Sequence, residues 1–158
     1  MAADLHSGVV VLAGRSEPTP ALAAEVAALQ SAGLRVEYVR ADIADERQAQ
    51  ALLHEVRARH GGTDGIVHAA GVLDDGYLAR KRAAQALGVL APKVAGLDHL
   101  DRAHGAAPLE FLICFGSIGG ALGSAGQGDY AAANGFMRAF AALRNGRAGR
   151  GERQGRTL

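Results

Sequence analysis

Ser117, in Gly116-Ser117-Ile118, and Tyr130, at the head of Tyr130-Ala131-Ala132-Ala133-Asn134, stand thirteen positions apart. That spacing of a hydroxyl and a phenol suits the reduction of a carbonyl. Hydride addition leaves an oxyanion that needs an acid, and a second donor must hold the same oxygen; Tyr130 and Ser117 can supply the two functions. A phenol titrates near ~10, and lowering it by ~2 units requires ~2.7 kcal/mol. One ammonium at ~4 Å and an effective dielectric of ~20 supplies about 4 kcal/mol, so a lysine is the part to find. The chain has only two, Lys81 and Lys93, and neither lies in the segment that carries Tyr130. Lys93, in Ala91-Pro92-Lys93-Val94, is expected to open the helix before the serine strand and to serve as the tuning cation. Asn134 follows Tyr130 by one helical turn on the same face, where its amide could hold a water that resupplies the proton. Singly, each has a plainer reading: a loop hydroxyl, a core aromatic, a surface lysine, a polar helix residue.

Other chemistries fit less well. A hydrolase nucleophile elbow needs glycine two residues before the serine, and Phe115 stands there. The six histidines include no pair at ligand spacing with a third donor, so no metal site is expected. Asp74-Asp75 reads as a pair of turn-formers before it reads as a cation site.

The elements that must position these residues alternate. Val9 to Ala13 is a continuous apolar run, as in a strand buried on both faces of a parallel sheet. Thr19 and Pro20 mark a helix start, Leu22, Val26 and Leu29 recur at helical spacing, and Gly33 marks the stop near Ala32. Arg35 to Val39 alternates as a strand, and Asp45 caps a helix bearing Ala49, Leu52, Leu53 and Val56 that ends at Gly61-Gly62. Gly65 to Ala69 and Glu110 to Phe115 are two more strands, separated by a helical region with Val94, Leu97 and Leu100. Asp129 to about Arg144 reads as the last helix, with Ala133, Met137, Phe140 and Ala141 inward. Strands alternating with helices imply an α/β fold with a right-handed, doubly wound parallel sheet.

In a dinucleotide-binding sheet, the side chain ending the second strand sits beside the adenosine ribose. Here that place holds Arg15-Ser16, whose guanidinium and hydroxyl suit a 2′-phosphate and so favour NADPH over NADH; the alternative is an exposed loop arginine. Asp42 has two readings, an acceptor for the adenine amino group or a turn residue.

At 158 residues, 49% hydrophobic, 21% charged and with a net charge of +1, the chain fits one globular domain with no charge-based reason to bind nucleic acid. Residues 145–158, with Gly146, Gly149, Gly151 and Gly155 among four arginines, read as a solvated loop or tail. One cysteine, no export signal and no apolar run of roughly 20 residues lead to the expectation of a cytoplasmic protein without a membrane partner.

The runs LAGRS, HAAGVLDDG, APKVAG and FGSIGGALGSAGQGDYAAAN together resemble the catalytic half of a ketoreductase domain of modular polyketide synthases, within the short-chain dehydrogenase/reductase superfamily. The resemblance covers nearly the whole chain and implies a Rossmann-like fold. It makes Tyr130 the proton donor, Ser117 the carbonyl partner, Lys93 the residue that tunes Tyr130 and contacts the nicotinamide ribose, and Asn134 the fourth member of a tetrad. Lysine and asparagine are exchanged relative to ordinary short-chain reductases, which carry lysine four residues after tyrosine. Arg15 and Ser16 match the 2′-phosphate site, Asp42 and Ile43 the adenine site, and Ala69, Ala70 and Gly71 the loop near the cofactor ribose. Leu73-Asp74-Asp75, with Leu122 where the opposite class has tryptophan, implies a D-configured β-hydroxyl. Ala125 and Asp129 depart from the proline and asparagine often found there. The expected activity is NADPH-dependent reduction of a β-ketoacyl thioester on an acyl carrier protein, with other polyketide synthase domains as partners.

Such a domain begins with a strand and the loop TGGxGxxG, which Met1 to Gly8 does not carry, and continues with strands beyond Arg156-Thr157-Leu158. The chain is therefore read as a single partial domain, 1–158, without the first, central strand and its phosphate loop and without the last strands. Loss of a central strand strips two neighbours of partners, so the chain alone is expected to be unstable or rearranged and to bind NADPH weakly. Three readings follow: the catalytic part of a ketoreductase, a non-catalytic piece that completes its sheet with another chain, or a free-standing reductase of a related pathway.

Overall fold

The computed structural model describes residues 8–158, so the stretch ahead of Gly8, where the sequence carries no glycine-rich loop, lies outside the described residues. Strands and helices alternate as β1 (Val9–Gly14), α1 (Pro20–Ser31), β2 (Arg35–Arg40), α2 (Glu46–His60), β3 (Gly65–His68), α3 (Ala83–Lys93), α4 (Ala95–His104), β4 (Phe111–Cys114), α5 (Gly119–Leu122), α6 (Gly128–Gly149) and β5 (Arg156–Thr157). A short 3-10 turn, Leu78–Arg80, precedes α3. Among the described residues every strand pairing is parallel, as the α/β reading requires. The strands form two groups, β1-β2 and β3-β4-β5.

Local signals set the boundaries. The Thr19 hydroxyl accepts from the Leu22 amide at 3.2 Å with Pro20 as first helical residue. The Asp45 carboxylate accepts from the Arg47 and Gln48 amides at 2.9 and 3.1 Å. These are side-chain oxygens satisfying the donors that a helix start leaves open. Gly33 and Gly61 take φ of +88° and +85° just beyond the ends of α1 and α2.

The two groups differ in packing. Leu97, Leu109, Leu112 and Met137 form a core between β4, α4 and α6, flanked by Ile66, Cys114, Phe136 and Phe140. On the β1-β2 side α1 buries no residue, and Val10 is 49% exposed, so β1 is not the doubly covered strand its apolar run predicts. Among the described residues β1 pairs with β2 alone and β3 with β4 alone, which leaves one edge of each without a ladder. The groups are joined where Ile43 meets α4: a Cβ on Gly96 would lie 2.9 Å from Ile43 Cδ1, and the His99 ring meets the Ile43 carbonyl at 3.1 Å.

Two elements differ from the sequence reading. Lys93 does not open a helix; it is the last residue of α3, and α4 starts at Ala95 after a break at Val94. Pro92 lies in the final turn of α3, where its ring holds φ in the helical range and, lacking an N–H, it donates no bond to the preceding turn. The glycine- and arginine-rich stretch after Arg144 is not a loop throughout: α6 runs on to Gly149, and β5 pairs with β4. Arg144 and Asn145 order it. The Asn145 amide brackets Thr157, accepting from its N–H at 2.8 Å and donating to its carbonyl at 2.9 Å. Gly155, at φ +74°, is required there because a Cβ would lie 2.6 Å from the Leu109 carbonyl oxygen.

Candidate active site

β4 ends at Cys114 and hands the chain to the Phe115–Ile118 loop, which presents Ser117 beside α5 and the first turns of α6. The Ser117 hydroxyl accepts from the Gly119 amide at 3.1 Å, which occupies one lone pair and leaves its O–H to donate. Asn134 donates from Nδ2 to the Tyr130 carbonyl at 2.7 Å, while its Oδ1 is buried without a partner among the described residues. Gly120 brings α5 against this turn of α6, since a Cβ there would lie 2.6 Å from Asn134 Cβ. Ser117, Asn134, Gly116, Gly120, Met137 and Arg138 line one pocket of about 280 Å³.

Lys93 reaches the site from the end of α3. It is 4% exposed, donates to the Phe115 carbonyl at 3.0 Å, and carries its ammonium 5.6 Å from the centroid of the Tyr130 ring. A cation at that range is attracted to the electron-rich ring face. Burial pushes Lys93 below its ordinary value, with Cys114 acting in the opposite direction. Gly71 closes over it: a Cβ on Gly71 would lie 3.1 Å from Lys93 Cε. The loop after β3 thus approaches Lys93 closely at a residue without a side chain.

His68, missed by the sequence reading, lies behind Lys93. It is 2% exposed, and burial first, then the Lys93 charge, hold it down at about 4 against an opposing hydrogen bond to the Pro92 backbone. It is therefore neutral at physiological pH, and its Nε2 has no partner among the described residues. A histidine closing an apolar strand was the available signal.

Arg15, Ser16, Arg40, Asp42 and Gln48 line a second, open cleft of about 580 Å³. Tyr38 lies across Gly14 and donates to the Ser16 carbonyl at 2.7 Å. Arg40, not singled out from sequence, adds a second guanidinium; its Nε donates to the Arg15 carbonyl at 3.3 Å and it pairs with Glu17 at 2.5 Å. Two guanidiniums and a hydroxyl in one cleft fit a phosphate ester. Asp42 realises the turn reading: its Oδ1 accepts from the Ala44 amide at 3.0 Å. Ile43 packs on Gly96 and is spent partly on the α4 contact. Ala69 and Ala70 follow β3 directly and lead to Gly71.

The acidic loop is tied to the chain ahead of α6. Asp75 accepts from Gln127 Nε2 at 2.8 Å, Asp74 accepts from Gln85 Nε2 at 3.2 Å, and the Gly76 amide donates to the Gly126 carbonyl at 2.7 Å. Leu73 and Leu122 are 64% and 78% exposed. No helix among the described residues is long and apolar enough to cross a membrane.

The family model described as KR domain matches residues 2–151. Polyketide synthase PksL of Bacillus subtilis is 46% identical over 158 residues, all of this chain and 4% of that protein. A ketoreductase domain from the bacillaene assembly line superposes with a TM-score of 0.93 at 42% identity, over 98% of this chain and 37% of that one. An N-terminal ketoreductase from the macrolactin assembly line gives 0.88 at 37% identity, over 94% and 30%. The chain spans a small fraction of the curated relative and about a third of each solved domain.

Proposed function

Because the chain belongs to the KR domain family, we propose that it carries the catalytic residues of a polyketide ketoreductase that turns a β-ketoacyl thioester, held on an acyl carrier protein, into a D-β-hydroxyacyl thioester. The observation that carries this reading is the Lys93 ammonium 5.6 Å from the Tyr130 ring, on a loop-and-helix frame that also presents the Ser117 hydroxyl. NADPH is the hydride source: Arg15 and Ser16, with Arg40, hold its adenosine phosphate end, and Lys93 beside Gly71 faces its nicotinamide ribose. Ser117 donates to the substrate carbonyl oxygen and fixes its direction. Tyr130 passes its proton to that oxygen as negative charge builds, and Lys93 stabilises the phenolate that remains. Asn134, with an unpaired buried Oδ1, accepts from a water that returns the proton to Tyr130. Leu73, Asp74 and Asp75 border the acyl entry and set the face presented, which gives the D-alcohol. The acyl carrier protein and the neighbouring domains of a polyketide synthase are the partners, in the cytoplasm.

The test is Tyr130→Phe in the intact protein, assayed with NADPH and the acetoacetyl thioester of N-acetylcysteamine. General-acid removal is expected to lower kcat by about 10²–10⁴-fold with cofactor affinity kept. A variant that reduces the thioester at the parent rate rejects the reading, and an L-alcohol product rejects its stereochemical part.

The two open strand edges, with Val10 and Val67 49% and 55% exposed, favour a second reading in which the chain is a non-catalytic piece that completes its sheet by pairing with a strand of another polypeptide. A cooperative melt of the 158-residue chain that NADPH shifts upward argues against it.

A further inference from the structure

We propose that Lys81 is a positioning residue for Tyr130, acting through Asp129. Lys81 Nζ donates to Asp129 Oδ2, and the two side chains are 5% and 3% exposed. The other oxygen, Oδ1, accepts from the Tyr130 backbone amide at 2.9 Å. One carboxylate is thus held at one end by Lys81 and grips the reacting residue with the other. It does so in the first turn of α6, where the Tyr130 amide has no helical acceptor of its own.

Lys81 is also the bolt of a wider clamp. It follows the Leu78–Arg80 turn, and that turn follows the Leu73–Asp75 loop. Leu78 sits over Gly128, where a Cβ would lie 2.8 Å from Leu78 Cδ1, and Asp75 and Gly76 bond Gln127 and Gly126 just ahead of the helix. The Leu73–Asp75 loop and the start of α6 are therefore tied together at several points, and Lys81–Asp129 is the buried ion pair among them.

The pair is poorly explained by stability alone. A buried ion pair can usually be replaced by apolar side chains of similar volume without loss of stability, because desolvation offsets much of the attraction. What an apolar pair lacks is the acceptor on the Tyr130 amide. Charge argues the same way: an unpaired carboxylate next to Tyr130 would oppose the Lys93 ammonium, whereas Lys81 cancels it and leaves Lys93 as the cation acting on the phenol. On the reducing centre a misplacement of about 1 Å costs on the order of 10²-fold in rate.

This inference rests on Tyr130 being the proton donor of the proposed reduction. Two double variants of the intact protein separate placement from stability: an apolar pair, Lys81→Met with Asp129→Leu, and an uncharged polar pair, Lys81→Gln with Asp129→Asn, which keeps an acceptor for the Tyr130 amide. Each is followed by thermal melting, by NADPH affinity from fluorescence, and by kcat and KM on the acetoacetyl thioester of N-acetylcysteamine. The apolar pair is expected to melt cooperatively and bind NADPH within about twofold of the parent, with kcat about 10²-fold lower. The polar pair is expected to stay within about tenfold of parental kcat. An apolar pair that keeps kcat within about threefold overturns the proposal. So does an apolar pair that does not fold, a polar pair that loses as much kcat as the apolar one, or cofactor affinity falling in step with kcat. Tyr130→Phe in the same assay tells the two failures apart: if it is inactive while the apolar pair is not, only the role of Lys81 is lost, and if it is active the reduction reading itself falls.

Discussion

The two ends of helix α6 each carry a buried ion pair, and they are built to opposite standards of completeness. At the C-terminal end Arg144, 2% exposed, donates from Nε to Asp101 at 2.6 Å, from one terminal nitrogen to the Gly155 carbonyl and Thr157 hydroxyl at 3.1 Å each, and from the other to the Gln154 carbonyl at 2.8 Å. Asp101 takes Arg153 on its second oxygen at 3.1 Å. At the N-terminal end Asn134 and His68 each keep a buried polar atom without a partner. Buried polar atoms are nearly always satisfied, so a hub with every guanidinium nitrogen bonded reads as structure, and open valences around a lysine and a tyrosine read as a place for reactants. His104, the third residue with such an atom, lies on the Arg144 side and has no such setting.

Arg144→Met breaks the comparison most directly. It leaves Asp101 buried with one cation fewer and β5 without its anchor, so unfolding free energy should fall by about 3–5 kcal/mol. In a denaturant melt the variant is expected to lose that amount, while kcat per folded molecule stays near parental. Loss of kcat with stability intact would mean that the C-terminal end reaches the chemistry and that the two ends of α6 do not divide structure from reaction.

The N-terminal end has its own cost, visible in pH. His68 is held at about 4 when folded against an ordinary 6.5, so the unfolded chain binds the extra proton between those values. Stability is therefore fully present above about 6.5 and falls as pH drops toward 4, by about 3 kcal/mol at most. His104, also lowered by burial first, adds in the same direction. Asp129 contributes only further down: burial alone would raise its carboxyl, but the Lys81 and Tyr130 hydrogen bonds outweigh this and lower it, so its share is lost below the ordinary carboxylate range. His68→Leu should flatten the decline between pH 6.5 and 4 without abolishing it. An unchanged slope would show that His68 is not the group that titrates.

What was legible in the sequence was local. Thr19, Asp45, Gly33 and Gly61 act on their own helices within a few residues, and Ser117 and Asn134, a short way apart in the chain, line one pocket. What was not legible depends on pairs far apart in the chain. Arg144 and Asp101 are 43 positions apart, and without that contact the glycines and arginines after residue 144 look like a solvated tail. Lys81 and Asp129 are 48 apart, so the second lysine had no visible employment. Lys93 was singled out for its charge but expected at a helix start instead of at the end of α3, because proline is commoner at a helix start than in a last turn.

One residue type stands at both ends of α6, as Asn134 and Asn145. Asn145 spends both amide atoms on Thr157, which is 3% exposed. Asn134 spends one on a carbonyl and leaves Oδ1 open. Asn145→Ala strips a buried N–H and C=O of their partners and should cost about 1–3 kcal/mol by denaturant melt. Asn134→Ala removes an unsatisfied atom together with a modest hydrogen bond worth about 1 kcal/mol, and those contributions oppose each other. Its stability should change by less than that of Asn145→Ala, while kcat falls through the loss of the water acceptor. Equal destabilisation at the two positions would mean that the open valence of Asn134 is filled in solution by something that stabilises the fold, and that the unfinished end of α6 is as structural as the finished one.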